Sequence, residues 1–421
     1  VAAAVAAGFL AAAEPAVAEQ QDPRAAGDEQ FEKGLSDKGA ISQDELAETD
    51  KDSLHIGGEL RSSVQNYEAG DNDLFLNPTQ LTLYFDARQD RNIRAFIKGT
   101  ATYEPTFDES EVNLLTGKKY QKQTGVLEEM KLMFTARNKV FFTLGKQKIK
   151  WGSGRFWNPT DYLNNVGRDP LSEEDKREGV PLLKVHVPTG SLNSYVVIKT
   201  DNADKADKTT LAGRVEIPFS AAEIALSAVG TKEAAPLFGA DVSFAVGDFD
   251  LYAESSYARR SNKTLYGADP ANPFSYQPLT HQGRDVLRTV FGISYDLQYG
   301  DNDLLAITAE YYDNPEGYAS VGEYRYPILA GAYDPFNLSE QYAALAFYAG
   351  APFSYNDFAL LLSNLANLTD SSYLTKGSLI YNESKDLALQ LDGYLFYGDK
   401  EGEMRFLDRQ WGVAAEARVK F

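Results

Sequence analysis

The chain has 421 residues, with 61 acidic side chains against 41 Lys and Arg, and its formal net charge of -20 excludes a nucleic-acid binder working by bulk charge. Cysteine is absent, which excludes disulfides, thiolate metal sites and haem attached through Cys-x-x-Cys-His. After residue 18 no apolar run approaches the roughly 20 residues of a membrane helix, so any crossing of a bilayer is made by strands.

Residues 1–18, "VAAAVAAGFLAAAEPAVA", read as the apolar core of a secretory signal with a small-x-small end at Ala16-Val17-Ala18, so cleavage is expected to leave Glu19 first. Residues 19–53 are polar and charged. Ser42 and Glu45 have capping-box spacing, which predicts one short helix in an otherwise flexible periplasmic arm.

From Leu54 the pattern becomes repeated alternation. "QLTLYFDAR" sets Leu81, Leu83, Phe85 and Ala87 against Thr82, Tyr84, Asp86 and Arg88. "PLFGADVSFAVG" and "DLALQLDGYLFYG" repeat this two-residue step, which places one greasy and one wet face on a strand. The chain-order reading is 54–66, 79–88, 92–102, 126–137, 139–147, 180–188, 191–200, 209–217, 222–231, 236–246, 249–260, 286–297, 303–313, 341–350, 356–366, 371–382, 386–397 and 408–421. That is about 18 strands, with 16 as the alternative. Two segments, "EQYAALAFYAG" and "DFALLLSNLAN", are apolar on both faces and leave their register open.

The connections alternate in kind. "QDR", "TG", "GD" and "SKD" are short, whereas 103–125, 148–179, 261–285 and 314–340 are long. An up-and-down barrel collects alternate connections at one rim, which is the organisation of outer-membrane barrels with tight periplasmic turns and long outer loops. The fold class expected is therefore an all-β transmembrane antiparallel barrel over 54–421, in the cell outer membrane.

The last strand, "RQWGVAAEARVKF", ends on Phe421 with Val419, Ala417 and Ala415 at two-residue steps. In this it resembles the bacterial outer-membrane porin superfamily, and the resemblance spans roughly residues 54–421. It implies that Phe421 is the assembly signal read by the barrel-assembly machinery. The stretch "LGKQKIKWGSGRFWNPTDYLNNVGRDP" is in addition loosely similar to alginate-export-like and substrate-type porins.

A sheet of this size closes around a hole too wide for side chains alone to fill. Alternation assigns its wall. The basic set is Arg94, Lys98, Lys131, Lys184 and Arg214, with Arg137 and others; the acidic set is Asp241, Asp250, Glu254, Glu310 and Asp392. The first half of the wall thus leans basic and the second acidic, giving either a transverse field or local neutral pairing. The long loop after the fifth strand carries the pore candidates Lys146, Lys148, Lys150, Arg155, Trp157 and Arg168. Folded inward, they line a constriction attractive to anions, with aromatics for sugar faces. Folded outward, the lysines meet lipopolysaccharide phosphates. Lys146, Lys148 and Lys150 share parity with apolar Val140, Phe142 and Leu144, which favours the outward course unless a bulge resets the register.

No cofactor and no metal site is expected: the acidic loops lack EF-hand spacing. The histidines, His55, His186 and His281, have no serine at an evident partnering position, and Gly152-Ser153-Gly154 is not a nucleophile elbow. The expected function is a channel for passive diffusion of small hydrophilic solutes, anionic or sugar-like, with outer-membrane lipids and lipopolysaccharide around it. The alternatives are a sheath for a lipoprotein or multihaem cytochrome and a lipid hydrolase. The oligomeric state stays open.

Overall fold

The computed structural model describes residues 53–421 apart from 71, 90–91, 112–118, 138, 173–176, 202–203, 220, 233, 262, 281–282, 300–302, 320–323, 331, 333, 353–354, 356 and 407. The signal, the arm, His281 and the capping-box helix lie outside the described residues.

The strands are β1 (Ser53–Ala69), β2 (Asn72–Leu76), β3 (Thr79–Gln89), β4 (Ile93–Tyr103), β5 (Gln123–Ala136), β6 (Val140–Gln147), β7 (Val180–Thr189), β8 (Leu192–Lys199), β9 (Thr210–Phe219), β10 (Ala222–Gly230), β11 (Leu237–Val246) and β12 (Phe249–Ser261). There follow β13 (Thr264–Asp269), β14 (Asn272–Thr280), β15 (Arg284–Tyr299), β16 (Asp303–Asp313), a short helix α1 (Arg325–Leu329), β17 (Gln341–Gly350), β18 (Phe358–Asn367), β19 (Ser372–Asn382), β20 (Leu387–Gly398) and β21 (Arg409–Lys420). β13 and β14 form a separate hairpin.

The remaining 19 strands make one antiparallel sheet. β2 and β3 both pair with β1, separated only by Asn77-Pro78, and act as one broken strand. The wall is therefore 18-stranded, and the pairing of β1 with β21 closes it. Closure leaves no edge, so the peptide groups are satisfied within the wall even in hydrocarbon.

Alternation decides the two faces. Leu83, Phe85, Ile97, Leu132, Phe291, Leu391 and Leu395 are exposed on the outside, while Arg94, Arg214, Glu254, Glu310 and Lys376 are buried toward the lumen. The doubly apolar segment also resolves. On β18, Leu361, Ser363 and Leu365 face in and Leu362 faces out.

Two features depart from the strand reading of the sequence. β2 occupies residues expected to connect, because Asn72 to Leu76 continue the ladder along β1. The described part of the loop between β12 and β15 is built largely as the β13–β14 hairpin, which packs on the loop between β16 and β17 through Leu265, Tyr318 and Leu338 and carries no membrane-facing alternation to announce it.

Candidate functional site

The loop between β6 and β7 enters the lumen and crosses it. Its described residues 151–160 end on the opposite wall, against two inward carboxylates. Glu254 on β12 accepts the backbone N–H of Gly154 at 3.0 Å and of Thr160 at 2.7 Å, with the Thr160 hydroxyl at 2.8 Å. Glu310 on β16 accepts the N–H groups of Arg155 at 2.7 Å, Phe156 at 3.2 Å and Trp157 at 2.8 Å, and the Tyr252 hydroxyl at 2.8 Å. Consecutive N–H groups converge on one carboxylate only where the chain turns tightly. Gly152 adopts φ +99° and packs directly on Glu254, where any side chain would collide with the carboxylate. Hydrogen bonds to a charged acceptor contribute about 1.5–3 kcal/mol each, so the loop tip is strongly held.

The loop is also braced at its base. Arg177 pairs with Asp161 at 2.7 Å, Lys199 on β8 donates to Asn165 at 2.6 Å, and the Tyr162 hydroxyl donates to the Phe238 carbonyl at 2.8 Å. Apolar contacts finish the crossing. Phe156, Trp157 and Leu171 join a buried cluster with Tyr67, Tyr312, Phe336, Tyr342, Leu374, Tyr394 and Met404. The Trp157 indole donates to the Phe336 carbonyl at 2.8 Å, tying this loop to the one between β16 and β17. Phe336 in turn donates its N–H to Glu403 at 2.8 Å, in the loop between β20 and β21. Glu403 also accepts from Tyr342 at 2.6 Å and Asn367 at 2.9 Å. Burial, with the nearby Asp370 charge adding to it, pushes the Glu403 carboxyl up to about 8. Burial likewise lifts Asp169 of the inward loop to about 7.

The pore candidates from the sequence separate into three places. Lys146 stays at the barrel rim on outward parity and pairs with Glu178 at 2.5 Å. Lys148 turns inward to Glu128 at 3.1 Å, a carboxylate that also takes Lys98 at 3.0 Å. Lys148 lies past the end of β6, where strand parity no longer fixes its side, and a register shift in the β4–β5 pairing at Lys98 and Gly99 leaves Glu128 and Glu129 both buried off the outer face. Lys150 is exposed on the loop. Arg155 lies on the far wall near Asp250 at 3.7 Å and over the Tyr252 ring, while Trp157 is buried there. Arg168 is half-buried beside Asp169.

The wall candidates are paired locally. Arg94 meets Asp86 at 2.8 Å, Lys131 meets Glu129 at 3.0 Å, and Arg214 meets Asp241 at 2.7 Å and Glu216 at 2.8 Å. Asp392 faces Lys376 at 3.7 Å and accepts from Gln390. Lys184 is half-buried on β7. Arg137, assigned inward by alternation, falls beyond the end of β5 in the turn, with φ +55°. Phe421 pairs its backbone with Gly58 at 2.8 and 3.0 Å and leaves its ring exposed. His186 is stacked between Phe141 and Tyr195 and bonded to Asn193 at 3.1 Å.

Sequence reasoning missed Glu403, Asp370 and Glu104, which bind loop backbone rather than line a pore. Glu104 accepts the N–H groups of Asn77 and Thr106. A loop acid whose partner is a distant peptide N–H leaves no side-chain pattern to find.

The closed antiparallel wall has known counterparts. OccAB1 of Acinetobacter baumannii superposes with a TM-score of 0.54 at 11% identity, over 88% of this chain and 96% of that one. The fold is that of an outer-membrane porin. The porin OpdK of Pseudomonas aeruginosa, solved with vanillate, matches with a TM-score of 0.54 at 10% identity, over 88% of this chain and 98% of that one. OccK2 (OpdF) of Pseudomonas aeruginosa, in complex with glucuronate, matches at 0.51 and 11%, over 88% and 97%. These porins carry the porin likeness and lend nothing to the narrower likeness to alginate-export proteins. No family model matches the sequence, and no curated protein matches it.

Proposed function

We propose that the chain is an outer-membrane channel for passive diffusion of small hydrophilic solutes, with an anionic or sugar-like solute as its preferred class. One observation carries this reading: residues 154–160 of the loop between β6 and β7 are pinned inside the barrel by Glu254 and Glu310, so the lumen is crossed by the chain's own loop. Lys148 and Arg155 supply cations on the lumen side, while Phe156 and Trp157 are buried in the packing that holds the loop. Porins of this fold have been solved with vanillate and with glucuronate, both compact oxygen-rich solutes. A sheath for a threaded partner would have to displace Trp157, Leu171 and Phe336 from their packing against the wall. Of the two histidines a lipid hydrolase would call on, His186 is held between two rings and His281 lies outside the described residues.

Planar-bilayer recording tests the proposal. The purified protein alone conducts, and its reversal potential in a salt gradient gives its ion preference. Replacing Lys148 and Arg155 together with glutamine moves that potential toward cation preference and slows glucuronate entry into proteoliposomes relative to glucose. A protein that conducts nothing by itself overturns the channel reading.

A further inference from the structure

One turn at the short rim differs from its neighbours in charge. The turns at that rim read "QDRN", "RNK", "TG", "GD", "GDND" and "ESKD" among others, and "RNK", residues 137–139, carries two cations and no acid in a chain of net charge -20. Among the described residues neither Arg137 nor Lys139 makes an ion pair, and both are exposed. Arg137 moreover sits at φ +55°, a conformation that glycine adopts without strain and arginine does not.

Directly beside the turn the outer wall has a groove of about 540 Å³, lined by Asn92, Ile93, Leu132, Phe134, Thr135 and Arg137. Its floor is apolar and faces the membrane: Ile93 is 39% and Leu132 42% exposed, and Ile93 pairs across the strands with Phe134. Its mouth is polar. The Thr135 hydroxyl donates to Asn92 at 3.0 Å, and Arg137 closes the rim. An apolar slot ending in cations at the membrane–water boundary fits one kind of molecule, an amphiphile with a phosphate at its head.

We propose that this groove holds a phospholipid of the periplasmic leaflet, with its phosphate on Arg137 and Lys139 and an acyl chain along Ile93, Leu132 and Phe134. The short-turn rim is the periplasmic one in this fold, which separates the site from lipopolysaccharide at the long-loop rim. The inference rests on the membrane placement of the barrel and not on the permeation reading.

Native mass spectrometry of the detergent-purified full chain tests it, with dioleoyl phosphatidylglycerol, the phosphate-free dioleoylglycerol and lipopolysaccharide as separate additions. The wild type retains one phosphatidylglycerol and no dioleoylglycerol. The double variant Arg137→Ala, Lys139→Ala binds it roughly thirtyfold more weakly, as two interfacial cations are lost. Ile93→Trp, which fills the slot and leaves the charge alone, weakens it as well. Arg137→Lys restores binding in the first background. Heat-modifiable gel mobility confirms that each variant is a folded barrel, and conductance is unchanged in all of them. Equal retention by the wild type and the double variant, equal retention of dioleoylglycerol, or preference for lipopolysaccharide overturns the proposal.

Discussion

Along β3 to β9 the lumen wall keeps its cations beside acids: Arg94 on Asp86, Lys131 on Glu129, and Arg214 in two bonds to Asp241. Along β12 and β16 the buried acids take a different partner, since Glu254 and Glu310 face peptide N–H groups of a loop that comes from the other side of the barrel. The loop 399–408 repeats the device with Glu403. In the first arc most cations are matched by acids of the wall itself, and the loop adds only side contacts, Lys148 on Glu128 and Asn165 on Lys199. The second arc is complete only with its loops in place. An acidic excess that the composition shows as bulk charge is thus, in part, the anchorage of the lumen loops.

This contrast predicts unequal consequences of mutation. The largest effect is expected from Glu254→Ala with Glu310→Ala. Together they strip five backbone N–H groups of their acceptors, and each buried donor left unpaired costs about 1–3 kcal/mol. The loop tip leaves the wall, so single-channel conductance rises several-fold while the barrel stays folded. Conductance equal to the wild type would mean that apolar packing alone holds the loop. The second effect is smaller and of another kind. Arg214→Ala leaves Asp241 buried beside Glu216 and lowers barrel stability in urea by about 1–3 kcal/mol, with the lumen water softening the loss. Arg214 also lies over the Trp151 ring of the loop at 5.9 Å, but the loop tip keeps its acceptors on Glu254 and Glu310, so conductance changes less than in the double variant.

The third prediction uses pH on the loop 399–408. The Glu403 carboxyl lies at about 8 in the folded protein, against 4.5 unperturbed. The folded state therefore binds the proton more tightly. The contribution is fully present below about pH 4.5 and is lost as pH rises through about 8. Hydrogen-exchange protection in 399–406, with rates corrected for the intrinsic pH dependence of amide exchange, should be higher at pH 6 than at pH 9. Glu403→Gln removes that difference, and a difference that persists in the variant assigns it to another group.

The wall itself was legible because lipid enforces it. A charge on the outer face near the midplane costs about 2–4 kcal/mol, so the two-residue rhythm of Leu81, Leu83 and Phe85 is a physical constraint written into the chain. Loop lengths sort by rim for the same reason. The constraint ends where the membrane ends. β2 and the β13–β14 hairpin had no greasy stripe to reveal them, and Arg137 was placed inward by a rhythm that stops at Ala136. Glu254 and Glu310 were legible as wall residues facing the lumen, but their partners are peptide groups 94 to 155 residues away, and a peptide N–H has the same name at every position.

The smallest effect separates two lysines that look alike in sequence. Lys146 and Lys148 differ by one turn of the strand rhythm, and parity places both outside. Lys146 keeps that parity at the rim, where it meets exposed Glu178. Lys148 follows the end of β6 at Gln147 and turns to Glu128, with Lys98 on the same carboxylate. An exposed pair contributes roughly 0–1 kcal/mol, so Lys146→Gln should leave stability, conductance and reversal potential at wild-type values. Lys148→Gln removes one of the two cations on Glu128 and exposes part of an uncompensated negative charge to the path, so the reversal potential moves toward cation preference. A shift from Lys146→Gln equal to that from Lys148→Gln would mean that the rim, and not the lumen wall at Glu128, selects the ions.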